Sequence, residues 1–290
     1  MALKLKTSMK EVYIDMKKIF VDISVIVKSI TLKINSKGTI KDQEHPDMLG
    51  VYFFTRLYAT SKSILKLLPE NLDEIDDYYD YNSIFSLTRN IIECSEILYY
   101  VCFDDKNRDI QLLRFAYFKL YERNYMAEHY RQIGDKENQE KCEKEIDSLI
   151  KKIEPYPQFQ NLSQGQRKRF KKIEGRFFDH SRNSIEKNMD YLHENSYKLA
   201  YSLFSASAHS FPTALYPMAY RSFNSKEGID WEIEYITSAL FIGSQYLAHS
   251  AKNLIDKLIK KHDFIYDRYS KEEKTDLEEI YKKLVVEFTG

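Results

Sequence analysis

The feature of this sequence that most constrains its fold is a recurrence of apolar side chains at three- and four-residue spacing, with few residues able to break a helix. It runs through Val12 to Ile34, Met48 to Leu68, Tyr81 to Phe103, Ile110 to Ile133, Asn183 to His209, Trp231 to Ile259 and Leu277 to Phe288. A 3.6-residue period places such side chains on one stripe of a helix, whereas a strand would alternate every second residue. Only eight Gly and six Pro occur in 290 residues, too few for the turns of a sheet protein, while Leu, Ile, Lys, Glu and Tyr are plentiful. The expectation is an all-α protein, a bundle of about seven long helices with no sheet.

Breaks fall where helix chemistry ends: at Lys37-Gly38, in the acidic stretch Asp73 to Asp80, and at Gly134-Asp135. Asn183 precedes Glu186, and Ser270 precedes Glu273, by the three residues of a capping box, so both predict helix starts. The clearest loop is Pro155-Tyr156-Pro157 to Gly165. There is no internal repeat or low-complexity tract, and the connections are too short for flexible linkers. The chain reads as one helical domain over 1–290, with two halves, 1–153 and 166–290, joined by the 154–165 loop.

Lys plus Arg and Asp plus Glu balance at 44 each, so no overall field draws the chain to nucleic acid or an anionic membrane, and any such contact needs a local patch. Cys94, Cys102 and Cys142 contain no C-x-x-C pair, which suits reduced thiols better than a disulfide framework. No four-ligand zinc set is visible, and no metal or cofactor is expected. The apolar run Ile19 to Val27 is interrupted by Asp22 and falls short of the roughly 20 residues a bilayer requires. The expectation is a cytoplasmic protein without membrane contact.

Three constellations can carry chemistry. On the Tyr81 to Phe103 helix, Ser86, Arg89, Glu93 and Glu96 fall within one sector at about 100° per residue, with Arg89 and Glu93 one turn apart and able to pair. Either that sector faces water, or Arg89 lines a polar pocket with Glu93 as its partner, since a buried guanidinium requires one. On the helix ending near residue 209, Tyr197, Tyr201, Ser205 and His209 follow at four-residue intervals, forming a slanted stripe of hydroxyls that ends in an imidazole. Ala206, Ser207 and Ala208 let a neighbour approach, and Pro212 ends the helix. The helix dipole favours the charged imidazole at that end. Between Arg167 and Lys172, the run Arg167, Lys168, Arg169, Phe170, Lys171, Lys172 can hold RNA phosphates and stack one base; the competing reading is a solvated helix surface.

A further stretch, Arg123-Asn124-Tyr125-Met126-Ala127-Glu128-His129, resembles the R-[polar]-x4-H pattern of the HEPN ribonucleases, all-helical domains that cleave RNA without a metal. That resemblance implies that Arg123 and His129 meet the same residues of a second protomer, His129 handling a proton and Arg123 stabilising the phosphorane. In a straight helix, however, residues six apart point about 240° apart. Phosphate-cradling glycine loops, nucleophile elbows and H-E-x-x-H are absent, and a di-iron bundle finds only Asp190-x-x-His193.

Taken together, Arg89-x-x-x-Glu93, the stretch Arg114-Phe115 to Arg131, and Tyr201-x-x-x-Ser205-x-x-x-His209 resemble the bacterial helical family called domain of unknown function 5677, over roughly residues 50 to 255. The resemblance implies an all-helical fold with Arg89, Glu93, Tyr201, Ser205 and His209 as its recurring polar residues. It also implies a Trp in the loop before the Tyr-Ser-His helix, where this chain has Phe159 and Phe170. By association it points to bacterial defence or toxin action.

Two functional readings follow. In the first, the chain is a HEPN-like effector that cuts RNA without a metal, with His209 as acid or base, Arg89 on the phosphate, Glu93 orienting Arg89, and Tyr201 and Ser205 donating to substrate. It would act as a homo-oligomer, a dimer by preference, under a regulatory partner protein. In the second, the same pocket belongs to a non-enzymatic sensing or adaptor module that binds a small ligand or partner protein.

Overall fold

The computed structural model describes residues 8–36, 46–70, 72, 79–104, 108–181, 184–185, 189, 201–206, 226–259 and 269–284. Among them the regular structure is entirely helical, as the periodicity predicts: α1 Met9–Ser36, α2 Pro46–Leu67, α3 Tyr81–Leu98, α4 Arg108–Ile133, α5 Lys136–Ile153, α6 Pro157–Gln160, α7 Gln164–Lys172, α8 Lys226–Asn253 and α9 Lys271–Lys283. No helix of the described residues is long and apolar enough to cross a membrane.

The contacts divide the chain into two compact units, one of residues 1–41, 50–98 and 190–290, the other of 42–49 and 99–189. The divisions fall at 41/42, 49/50, 98/99 and 189/190, while the 154–165 segment, expected to join two halves, lies inside the second unit. The physical reason is that this segment contributes to a core: Phe159, from its short helix α6, is buried with Leu113, Tyr117, Phe170 and Phe178.

In the first unit α8 packs along both α1 and α3. Phe20, Ile23, Val27 and Ile30 of α1, Ile84, Phe85, Ile91 and Ile92 of α3, and Ile236, Leu240 and Leu247 of α8 are all buried. Gly243 lets α1 come close, because a β-carbon there would sit 3.0 Å from the Phe20 ring. The helical stretch 201–206 docks on α3 through Phe204, fully buried, with its ring centroid 4.7 Å from that of Phe85. Tyr235 of α8 stacks on Phe85 at 5.4 Å. At α9 the expected capping box is present: Ser270 Oγ accepts from Glu273 N at 3.2 Å, and Ser270 N donates to Glu273 Oε2 at 2.7 Å. The Asn183–Glu186 box lies outside the described residues.

In the second unit α4 and α5 form an antiparallel pair. Gly134 takes φ +78°, the left-handed conformation that lets α4 stop, and Asp135 then caps α5 by accepting from Asn138 N at 3.2 Å. The periodicity reading did not include α5. Its apolar line is narrow, and only Cys142 and Ile153 are fully buried, so the helix reads as charged almost all round. The chain from 155 to 165 is likewise more ordered than an open loop, with α6 inside it and a capping box of Ser163 and Gln166 starting α7.

Candidate functional site

The first site sits on α3. Arg89 Nε donates to Glu93 Oε1 at 2.9 Å, one helical turn on, and the Tyr201 hydroxyl donates to the same oxygen at 3.1 Å. The guanidinium carbon lies 5.4 Å from the centroid of the Tyr201 ring, within cation–π range. The side chains of Arg89 and Glu93 are 23% and 17% exposed, so the pair is neither a solvated surface pair nor a core ion pair. Glu96, the fourth member of the sector, is buried, while Ser86 is half-buried. The sector does not simply face water.

The arrangement follows from packing two turns away. Phe204 inserts against Phe85, and Tyr201, one turn back from Phe204, then reaches Glu93, two turns beyond Phe85. The structure thus brings Arg89, Glu93 and Tyr201 together, with Ser205 half-buried one turn from Tyr201. His209 and Tyr197 lie outside the described residues. The expected role of Tyr201 as a substrate donor changes, since its hydroxyl is already given to Glu93.

What remains of the Arg89 guanidinium is its terminal fork. Nε is held by Glu93 and one face is covered by an aromatic ring, while the two terminal amino groups meet no acceptor among the described residues. An arginine fixed along one edge presents its other donors with little entropy left to lose, which suits a planar carboxylate or a phosphate.

A second charged centre, outside the three constellations, is built on α4. Arg114 of α4 is 0% exposed and has all its N–H groups engaged. Nε and Nη2 donate to Asp179 Oδ2 at 3.0 and 2.8 Å, and Nη1 donates to Asp104 Oδ2 at 2.6 Å and to the Tyr100 carbonyl at 3.0 Å. Nη2 also lies 3.3 Å from His180 Nδ1, and the guanidinium covers the Tyr100 ring at 4.2 Å. The Tyr100 hydroxyl donates to Asp179 Oδ1. The Tyr100 carbonyl is available because α3 runs into a π turn, Tyr99–Phe103, in which Asp104 N bonds to Tyr99 O at 2.8 Å, five residues back. Burial, reinforced by the Asp179 carboxylate, holds the Tyr100 phenol well above its ordinary pKa. Burial works against the Arg114 charge, and Asp179, Tyr100 and Asp104 together more than offset it, so that pKa rises.

With every donor spent, Arg114 is a keystone joining α4, the π turn and the 174–180 segment, which α4 grips again where the Tyr117 hydroxyl donates to the Gly175 carbonyl at 2.8 Å. Its signal in the sequence was an arginine between Leu113 and Phe115 on the inward face of α4, but its partner Asp179 lies 65 residues on, where no periodicity points to it.

The other expected residues are not brought together. Arg123 is exposed and paired with Glu145 of α5 at 3.0 Å; Asn124 is exposed; His129 is exposed, with the Tyr130 ring 5.8 Å away. The 167–172 run is helical and its Lys168, Arg169, Lys171 and Lys172 are exposed, but Phe170 is 0% exposed. Phe170 touches Tyr117, Phe159 and Phe178 at 5.0–5.2 Å between centroids, so it cannot stack a base: the core takes the ring that the basic run was expected to offer. The three cysteines are free and buried, and burial pushes the Cys94 thiol up to about 12. No three His, Cys, Asp or Glu side chains among the described residues are grouped to hold a metal ion.

Fold and site define an all-helical protein built around an edge-held arginine on one helix. The family of unknown function DUF5677 matches residues 47–228, and the chain belongs to it. The match includes Arg89, Glu93, Tyr201, Ser205 and His209, and also Arg114, Asp179 and His180. Comparison with curated proteins and with solved structures gave no match. Phe159 and Phe170, where the family resemblance implies a Trp, are core residues here.

Proposed function

We propose that this protein is a helical effector that binds the phosphate backbone of RNA at Arg89 and cleaves it without a metal, in the manner of a HEPN ribonuclease. The observation that carries the reading is the posture of Arg89: its Nε edge is held by Glu93, its face lies against Tyr201, and its terminal amino groups meet no acceptor among the described residues.

In the reaction, the 2′-oxygen attacks phosphorus and the bond to the 5′-oxygen breaks. His209 takes the 2′ proton, and water supplies the proton that the departing 5′-oxygen takes up. Arg89 offsets the charge that builds on the non-bridging oxygens, a contribution of about 3–4 kcal/mol for a well-placed donor. Glu93 and Tyr201 position Arg89, and Ser205 donates to substrate. A dimer, a regulatory partner protein and a role in bacterial defence belong to the same proposal.

The second reading, a sensing or adaptor module, draws on Tyr201: a hydroxyl committed to Glu93 builds a fixed pocket rather than a substrate contact. Incubating the purified protein with total RNA in EDTA separates the two. Cleaved RNA with 2′,3′-cyclic phosphate ends supports the nuclease; intact RNA supports the binding module.

A further inference from the structure

The basic helix α7 forms one wall of a groove of about 800 Å³ whose lining is Phe159 and seven polar or charged residues, among them Glu154, Arg167, Lys168, Lys171 and Lys172. The groove lies wholly within the second unit. In a chain with 44 basic and 44 acidic residues, this lining carries four cations and one carboxylate.

The cations come in two pairs, Arg167 with Lys168 and Lys171 with Lys172, one turn or roughly 6 Å apart along the helix. That spacing is comparable to the separation of neighbouring phosphates along a strand. The Arg167 Nε is shielded from solvent and has no hydrogen-bond acceptor among the described residues. Two of the lysines are held back by carboxylates, Lys171 by Glu154 at 2.5 Å and Lys172 by Glu174 at 3.7 Å.

We infer that this groove is a docking track for single-stranded RNA, read through its phosphates and not its bases. An acidic peptide would need an apolar anchor as well as charge, and the one ring on the lining, Phe159, is 2% exposed, with its bulk in the core. Gln160 and Gln164, also on the lining, offer amides that suit ribose and base edges without discriminating among them. Glu154 competes with the strand for Lys171, so the groove is set below its full affinity. The inference takes its choice of ligand from the proposed function, and the groove's binding is separable from the cleavage.

The test is binding of a fluorescent 2′-O-methyl oligouridine, which cannot be cut because its 2′-oxygen is blocked. The double variant K168E/K172E, at exposed positions, weakens binding about tenfold or more with an unchanged melting temperature. Glu154→Gln tightens it about two- to threefold, an effect opposite to that of simple damage to the fold. Four phosphate contacts give log Kd a slope of about 3 against log salt concentration. In an Arg89→Gln background K168E/K172E causes the same further loss of binding, and cleavage is scored in its own assay, so loss of groove binding and failure of the nuclease are separate results. Equal affinity of K168E/K172E and the parent would overturn the inference. So would displacement by polyglutamate as effective as displacement by the oligonucleotide itself.

Discussion

Arg89 and Tyr201 converge on a single oxygen of Glu93, the guanidinium Nε from 2.9 Å and the phenol hydroxyl from 3.1 Å, although Tyr201 is 108 residues further along the chain. The carboxylate therefore fixes both the charge and the ring that covers it. Removing it has consequences for stability and function together.

Glu93→Gln is expected to lower stability by about 1–3 kcal/mol, between an exposed i, i+4 pair and a fully buried one, and to reduce activity. The double variant Arg89→Met with Glu93→Gln recovers much of the stability and none of the activity, because the charge offered to the ligand is gone. Thermal melts beside an RNA assay check both; a Glu93→Gln protein that melts and functions like its parent would remove the site from this helix.

The Arg114 centre makes a different prediction. Arg114→Met leaves the Asp104 and Asp179 carboxylates without their shared cation and should cost about 3–5 kcal/mol, measured by denaturant unfolding. Tyr100→Phe removes only the hydroxyl given to Asp179 and should cost less, about 1–3 kcal/mol. Near-equal effects of the two changes would show that the guanidinium is not the keystone.

Alkaline pH probes the same centre. The folded Tyr100 phenol has a raised pKa, caused first by burial and then by Asp179, so the folded state keeps a proton that the unfolded chain releases. Stability from this group is complete below the ordinary tyrosine pKa of about 10 and declines as pH rises from there toward the folded value. Buried Tyr269, pushed up to about 12, adds to the same slope. Unfolding measured between neutral pH and about pH 11 should show the loss confined to the alkaline end and made shallower by Tyr100→Phe.

The two Arg/His sets separate by substitution. His129→Ala and Arg123→Ala lie on exposed positions of α4 and should leave toxicity or cleavage in a matched expression assay within about twofold of the parent. His209→Ala should abolish it. The opposite ranking would move the catalytic role to Arg123 and His129.

Much of the fold was legible because long helices advertise themselves twice, by period and by caps. Gly134-Asp135 and Ser270-Glu273 end and begin helices as their chemistry requires. Helix α5 escaped because its apolar line, around Cys142 and Ile153, is thin against a charged background. Arg89 and Glu93 were legible because the pair is local; Tyr201 came from its own four-residue stripe, and only packing of Phe204 on Phe85 joins the two. The Arg114 centre depends on a π turn and on Asp179 in irregular chain, neither of which leaves a periodic trace. Phe170 misled because an aromatic inside a basic run looks available until the helix is built and its inward side is seen to meet Tyr117 and Phe178.

The role proposed for the Arg89 fork is to stabilise phosphate during RNA cleavage. The most direct measurement is single-turnover cleavage of RNA in EDTA by the parent, Arg89→Lys and Arg89→Gln, each confirmed folded by its melting curve. Lysine keeps the charge but lacks both the Nε that Glu93 holds and the planar fork, so the order of rates should be parent, then Lys, then Gln, with Gln lower by about 100-fold or more and all products ending in 2′,3′-cyclic phosphate. No cleavage by the parent would rule out the nuclease, and equal rates for the parent and Arg89→Gln would remove Arg89 from the reaction.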